Sequence, residues 1–152
     1  MWRTDSAPSV LAIVEAKQVL KHAIAAWNHA DLDSFASLAA PDLRVVASGG
    51  VIFRGADGMR NYLSLWRTAC PDHTIRFHNV VAEGNRSIGE GTMEGTHQGP
   101  LHHPAGTIPP TGRRLRIDFV SALRTTDGKV DSFRIYFDVL DLMHQLGLIG
   151  RA

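Results

Sequence analysis

The residues best suited to chemistry lie in the last third of the chain. Asp138 stands where the stretch RIYFDVLDLMHQLG (134–147) changes its period. Before it, Phe133, Ile135 and Phe137 alternate with Arg134 and Tyr136, the spacing of a strand with one apolar face. After it, Leu140, Met143 (or His144) and Leu146 recur about three apart and Gly147 ends the run, which predicts a helix. A carboxylate at a strand end can be held rigidly against a small molecule. In a greasy pocket its pKa rises, and it can then take or return a proton alpha to a carbonyl. Aspartate is equally a preferred helix N-cap bonded to backbone amides, so both roles stay open.

His97 closes a strand at the start of a Pro/Gly-rich stretch. It can donate to a developing enolate oxygen or serve as the partner acid. In the sequence GTHQG it can as easily sit in a turn, bonded to a backbone carbonyl. Arg116 and Asp118 depend on strand register. With a three-residue loop at Thr126-Asp127-Gly128, Arg116 lies opposite Asp138, and Asp118 opposite Tyr136. One face then collects Arg116, Asp118, Arg134, Tyr136 and Asp138, and the other the apolar set from Ile117 to Phe137. A two- or four-residue loop would put Arg116 and Asp118 on the opposite face from Asp138. In the favoured register an arginine beside Asp138 lowers its pKa, and an ion-pair ladder of purely structural role competes with ligand contact. His97, His102 and His103 fit no standard zinc spacing.

The elements that position these residues can be read from the chain. Ile13, Ala16, Leu20, Ile24 and Trp27 mark one side of a helix, broken at 28–31. Asp31 caps a second, short helix with Leu32, Phe35 and Leu38 inward, ended by Pro41. Gly49-Gly50 joins strands 43–47 and 51–53 as a hairpin. A third helix, from about Ala56 to before Pro71, carries Met59, Tyr62, Leu63 and Trp66 on one face. Strands follow at 74–83, 86–97, 113–124 and 129–138, with a long ordered loop or distorted hairpin tip at 98–112. Helices first and antiparallel strands after give an α+β fold with the helices on one side of a curved, mostly antiparallel sheet. Trp27, Tyr62 and Trp66 are core residues in that layout, and pocket wall if the cone is hollow.

The totals narrow the class. At 152 residues the chain is expected to form one domain, 1–152, with its own core. A net charge of +1 supports neither nucleic-acid nor anionic-membrane partners. Cys70 is the single cysteine, which excludes an internal disulfide and suits a reducing compartment. With no credible targeting segment and no run of spanning length, a cytoplasmic location is expected.

The chain resembles the SnoaL-like polyketide cyclases, within the nuclear-transport-factor-2-like fold. The resemblance is carried in order by AWNHADLDSFASLAAPDL, FRGADGMRNYL, CPDHTIRF, VVAEGNR, GTHQGPL, IPPTGRRLRIDF and TDGKVDSFRIYFDVLDLMHQLG. It implies a cone-shaped α+β barrel enclosing a pocket, a homodimer or higher homo-oligomer, and no cofactor or metal. It also implies intramolecular aldol-type ring closure of a small, largely apolar carbonyl compound. The family's pocket aspartate matches Asp138; beside it the residues themselves offer His97 or Asp118 as assisting groups, and Tyr136, Arg116, Arg134, Trp27, Tyr62 and Trp66 as substrate contacts. Limonene-type epoxide hydrolases are similar at YFD, but their Arg-x-Asp pair is missing from EGTMEGTHQG here. The alternatives are another hydrolase or isomerase using the same aspartate, or a non-catalytic binding module. The 98–112 loop can lid the pocket or contact a neighbouring subunit.

Overall fold

The computed structural model describes residues 10–150, with side chains from Glu15 onward. The expected polar leader and the side chain of Ile13 lie outside the described residues. Helix α1 (Val10–Asn28) buries Ala16, Val19, Leu20, Ala23 and Trp27. Its end is held from two directions. Arg67 donates to the carbonyls of Trp27 (2.6 Å) and Asn28 (3.0 Å). The Asn28 amide meets both the N–H and the carbonyl of Ile75 (2.8 and 3.1 Å), occupying the edge of a strand as a neighbouring strand would. Helix α2 (Leu32–Ala36) is capped as expected, with Asp31 accepting from the Ser34 N–H at 3.0 Å. It stops earlier than expected. Pro41 lies inside strand β1 (Ala39–Ala47), in the irregular stretch where pairing lapses, so its missing N–H breaks no ladder bond. After the Gly49-Gly50 turn come β2 (Val51–Arg54) and helix α3 (Gly55–Ala69), which buries Met59, Tyr62, Leu63 and Trp66 as the spacing predicts.

The remaining strands are β3 (Thr74–Glu83), β4 (Arg86–Thr96), β7 (Arg114–Thr126) and β8 (Lys129–Phe137). With β1 and β2 they form an open six-stranded sheet in the order β2-β1-β8-β7-β4-β3. The sheet is mixed, because β8 runs parallel to β1 while every other pair is antiparallel. Residues 98–112 contain a small hairpin, β5 (Leu101–His103) with β6 (Gly106–Ile108). Helix α4 (Val139–Gln145) closes the described chain and ends at Gly147, whose φ is +76°. Its inner side is Leu142 and Leu146, not the expected Leu140, which is 61% exposed.

The β7–β8 connection corrects the expected register. Asp127 and Gly128 form a two-residue loop, both left-handed (φ 52° and 72°), the geometry that suits a tight hairpin. Taken alone it would have turned Arg116 and Asp118 away from Asp138. Asp131 restores the parity as one extra residue: Thr125 pairs with Val130, but Arg124 pairs with Ser132. Arg124 (2.7 Å) and Thr126 (2.8 Å) hold the carboxylate of this bulged residue. The two faces therefore segregate as expected. Val120 pairs with Tyr136, however, so Asp118, and not Arg116, is in line with Asp138. Beyond Phe137 the partner strand is gone, and the Gln145 side chain takes its place, bonding the N–H and carbonyl of Arg116 (2.8 and 2.7 Å).

Candidate functional site

The inner face of the sheet and helices α1 to α3 enclose an apolar interior. Trp27 from α1, Met59, Tyr62 and Trp66 from α3, and Phe133, Ile135 and Phe137 from β8 are among its walls. The interior is largely filled. Its free volume is about 60 Å³, well below the roughly 300–1,000 Å³ of a ligand pocket. Glycines on the inner face of β4 explain the filling. A Cβ at Gly89 would lie 2.5 Å from the Phe77 ring. One at Gly91 would lie 2.8 Å from both the Phe119 ring and the Arg76 carbonyl oxygen. Phe77 and Phe119 occupy that space edge to face, 5.5 Å apart.

Few polar atoms reach this interior. No carboxylate or imidazole lines it among the described residues; Tyr62 and Ser121 are the lining residues that carry hydroxyls. Burial pushes the Tyr62 phenol well above its ordinary pKa, partly opposed by the neighbouring Trp66 side chain. Tyr62 is therefore a neutral donor. The Trp27 indole N–H is buried with no partner. The lining can hold an apolar body and hydrogen-bond an acceptor oxygen, but it has no group to carry a proton away at neutral pH.

A second void of about 40 Å³ lies at the mouth and shares Tyr62, Trp66 and Phe137 with the first. Trp66 and Phe137 meet edge to face at 6.1 Å as a partition. The β5–β6 hairpin roofs the mouth. His103 latches it: the Ala105 N–H donates to its Nδ1 (3.0 Å), which fixes the tautomer, and its Nε2 donates to the Gly49 carbonyl (2.5 Å). His102 meets the Thr107 hydroxyl at 3.1 Å, within the hairpin.

Asp138 does not look into the interior. It is exposed and caps α4, accepting from the Asp141 N–H at 3.0 Å. The expected pocket carboxylate is a cap at the rim, one residue before Val139 of the mouth lining, because the chain turns into α4 as soon as β8 ends. His97 is buried but lines neither void. Its Nδ1 meets the Thr111 hydroxyl (2.9 Å) and N–H (3.2 Å), while its backbone pairs with Arg113 and Gly112. It thus ties down the root of the 98–112 loop. Burial lowers its pKa, opposed by the Gly99 backbone.

Arg116, Asp118, Arg134 and Tyr136 share a face, but it is the outer one, behind the sheet. Arg116 pairs across strands with Glu94 at 3.2 Å, the ladder that the sequence allowed. Asp118 ends a chain of hydrogen bonds that the sequence reading missed. The His78 Nε2 meets Thr92 Oγ1 at 2.7 Å, and that hydroxyl donates to Asp118 Oδ1 at 2.7 Å. His78 is the extra residue of a bulge in β3, between Phe77 and Asn79. Only its place among alternating residues hinted at an outward side chain, and nothing marked the bulge. His78, Glu90, Arg116, Asp118 and Tyr136 border an open groove of about 510 Å³. Of the nine residues singled out from the sequence, Trp27, Tyr62 and Trp66 line the interior. Asp138 stands one residue before the mouth lining, His97 sits at the root of the 98–112 loop, and the remaining four lie on the outer face.

A family model described as SnoaL-like polyketide cyclase matches residues 17–146. No functionally curated protein matches the chain. Among solved structures, a provisionally assigned SnoaL-like polyketide cyclase from Jannaschia sp. CCS1 is similar at TM-score 0.80 and 17% identity, covering 97% of this chain and 99% of its own. That likeness gives the fold as nuclear-transport-factor-2-like. AclR, a provisionally assigned hydroxylase from Streptomyces galilaeus, is similar at TM-score 0.76 and 27% identity, covering 92% of this chain and 85% of its own. An LEH-like epoxide hydrolase from M. tuberculosis is similar at TM-score 0.68 and 20% identity, over 90% of this chain and 92% of that one.

Proposed function

This chain belongs to the SnoaL-like polyketide cyclase family, and from that premise we propose that it takes a small, largely apolar carbonyl compound into the aromatic interior. There it polarises the carbonyl for an intramolecular aldol-type ring closure. The observation that supports this reading is the Tyr62 hydroxyl. It is a neutral donor beside Trp66 inside an otherwise apolar lining. A donor fixed where negative charge develops on oxygen stabilises an enolate or alkoxide more than it stabilises the ketone. The unpartnered Trp27 N–H suits a second acceptor oxygen, as a polyketide-like substrate would offer.

Entry requires the Trp66–Phe137 partition to turn, which joins the two voids. The carbon that loses a proton then lies at the mouth, because Asp138 is the carboxylate beside it and can act as base only from the rim. A second reading, a binding module without turnover, is favoured by the lack of any carboxylate or imidazole among the described lining residues.

One experiment separates them. A small aromatic 1,3-diketone, titrated while the emission of the buried Trp27 and Trp66 is followed, should bind. Tyr62→Phe should weaken binding by about two- to tenfold, the worth of one hydrogen bond. A cyclase converts a longer triketone probe to its ring-closed product and a binder returns it unchanged. Wild-type affinity in the Tyr62→Phe variant would remove the basis for the polarising role.

A further inference from the structure

Strand β4 is bare along its inner face. Alternation turns Ser87, Gly89, Gly91, Met93 and Gly95 toward the helices, so three residues of five there carry no side chain. Glycine weakens a strand interior and often marks a close approach to the backbone. Two of the three have a fixed reason. A Cβ at Gly95 would lie 3.0 Å from both Cys70 and His73, and one at Gly91 would lie 2.8 Å from the Arg76 carbonyl oxygen. At Gly89 the three nearest atoms all belong to the Phe77 ring, two of them at 2.5 Å. A ring can turn aside, so no fixed atom among them demands a glycine at 89.

Phe77 is placed to turn. It is half-buried, it stands on the edge strand β3, and the His78 bulge interrupts the pairing just after it. Its cross-strand partner is Gly91, yet its ring leans two residues along β4 to cover Gly89. Next to Gly89 on β7 is Ser121, on the inner face with Ile117, Phe119 and Leu123. Ser121 is 3% exposed, and its hydroxyl has no hydrogen-bond partner among the described residues. The place that the Phe77 ring now fills therefore has backbone for a floor, the Phe119 ring for a side and an open hydroxyl at its edge.

We propose that this place over Gly89 is the seat of an aromatic ring of the ligand, with Phe77 as the plug that withdraws to the β3 edge when the ring enters. Phe119 stays and meets the incoming ring edge to face, as it meets Phe77 at 5.5 Å. Ser121 meets an oxygen carried on that ring, so the ligand class is an oxygenated arene, a phenol or an aryl ketone. The exchange is ring for ring. The interior's free volume of about 60 Å³ is too small for benzene, which a cavity of about 150 Å³ holds. The space that Phe77 leaves already has the shape of a phenyl ring, so no other wall of the interior has to deform. The inference deepens the ligand reading above and rests on it for the substrate's carbonyl; the ring seat itself can be probed by ligands without one.

The test is the amide NMR spectrum of the isotope-labelled full chain with phenol, and with toluene as its isostere without the hydroxyl, each raised to about 10 mM to fill a millimolar site. Both should bind, and the largest shifts should fall on Gly89, Gly91 and Ser121, not on Gly49 and Val139 at the mouth. Phe77→Ala should bind both probes about tenfold more tightly, because a half-buried ring no longer has to be exposed. Phe77→Leu, which keeps more of the packing, should fall between the two. Ser121→Ala should weaken phenol by about two- to tenfold relative to toluene, and an equal loss of both overturns the role of Ser121. No shift at Gly89 with either probe overturns the proposal, as does a Phe77→Ala affinity equal to the wild type's. Binding by Phe77→Ala alone also overturns it, since that cavity would be made by the substitution. If toluene binds at Gly89 and the aromatic 1,3-diketone does not bind, the carbonyl reading falls and the seat stands. If the diketone binds and toluene does not, the seat falls alone.

Discussion

Acidification should destabilise this protein through His73, at a pH above that at which Asp72 and Asp131 give up their own contribution. His73 is fully buried, with its ring 5.2 Å from that of Trp27 on the interior wall. Its Nδ1–H donates to the Cys70 carbonyl at 3.0 Å, and its Nε2 has no partner. Burial, then the nearby positive charge of Arg67, push its pKa from 6.5 down to about 4. The unfolded chain takes up a proton near pH 6.5 and the native state refuses it until about pH 4, so stability falls as pH falls across that window. A gap of that width corresponds to roughly 3 kcal/mol at most, at about 1.4 kcal/mol per pH unit. For a domain of this size the Tm should then drop by about 6–12 °C between pH 7 and pH 4. His97, lowered by burial as well, acts in the same direction. Asp72 and Asp131 have pKa values below their ordinary 3.8, so the stability they add is lost only at still lower pH. The assay is a series of calorimetric melts from pH 7.5 to 4.5 on the wild type and on His73→Leu. The wild-type Tm should slope, and the variant's should slope clearly less, keeping only the share that His97 adds. A wild-type Tm that moves by less than about 2 °C, or a variant that keeps the full slope, would refute the assignment to His73.

Substitutions at two further positions test the rim and the interior. Asp138→Ala removes the α4 cap and should cost about 1 kcal/mol in urea unfolding, whereas Asp138→Asn keeps the cap and should be near neutral. If Asp138 also acts as base, both should lower ring closure by at least about a hundredfold, and full turnover in Asp138→Asn would leave it a cap alone. Gly91→Ala sets a methyl 2.8 Å from the Arg76 carbonyl oxygen and from the Phe119 ring. Overpacking against a fixed backbone atom should destabilise by about 1–3 kcal/mol, and an unchanged urea midpoint would show that the Phe77–Phe119 pair is not seated as described.

The elements were legible because their signals are local. Gly49-Gly50 marks a turn, Asp31 a cap, and the period of Met59, Tyr62, Leu63 and Trp66 a buried helix face. What could not be read depends on single residues acting at a distance. The parity of β7 against β8 is set by Asp131, whose bulge has no pattern of its own. The segregation of Arg116, Asp118, Arg134 and Tyr136 from the apolar set was visible. Which of the two faces the helices would cover was not, because alternation is symmetric until a third layer docks. The filling of the cone was hidden for a similar reason: Gly89 and Gly91 leave space on β4 that rings from β3 and β7 enter. Asp138 satisfied the patterns of a strand end and of a cap together, and only the path of the chain into α4 decides between them.

The placement of β8 has a consequence for how the molecule comes to exist. It lies between β1, its parallel neighbour, and β7, its antiparallel one, so the sheet is two separate pieces until residues 129–137 arrive. A ribosome making this chain from its amino end has by then released the β1–β2 hairpin and the β3–β4–β7 ribbon. Each of those has an open flank able to recruit strangers. The keystone strand must bring Ala47 and Ile135 together across most of the polypeptide, a closure that slows assembly. Ribosome pausing just before Lys129 should therefore prolong the aggregation-prone interval, and mutations in β8 should lower soluble yield more than their effect on the finished protein explains.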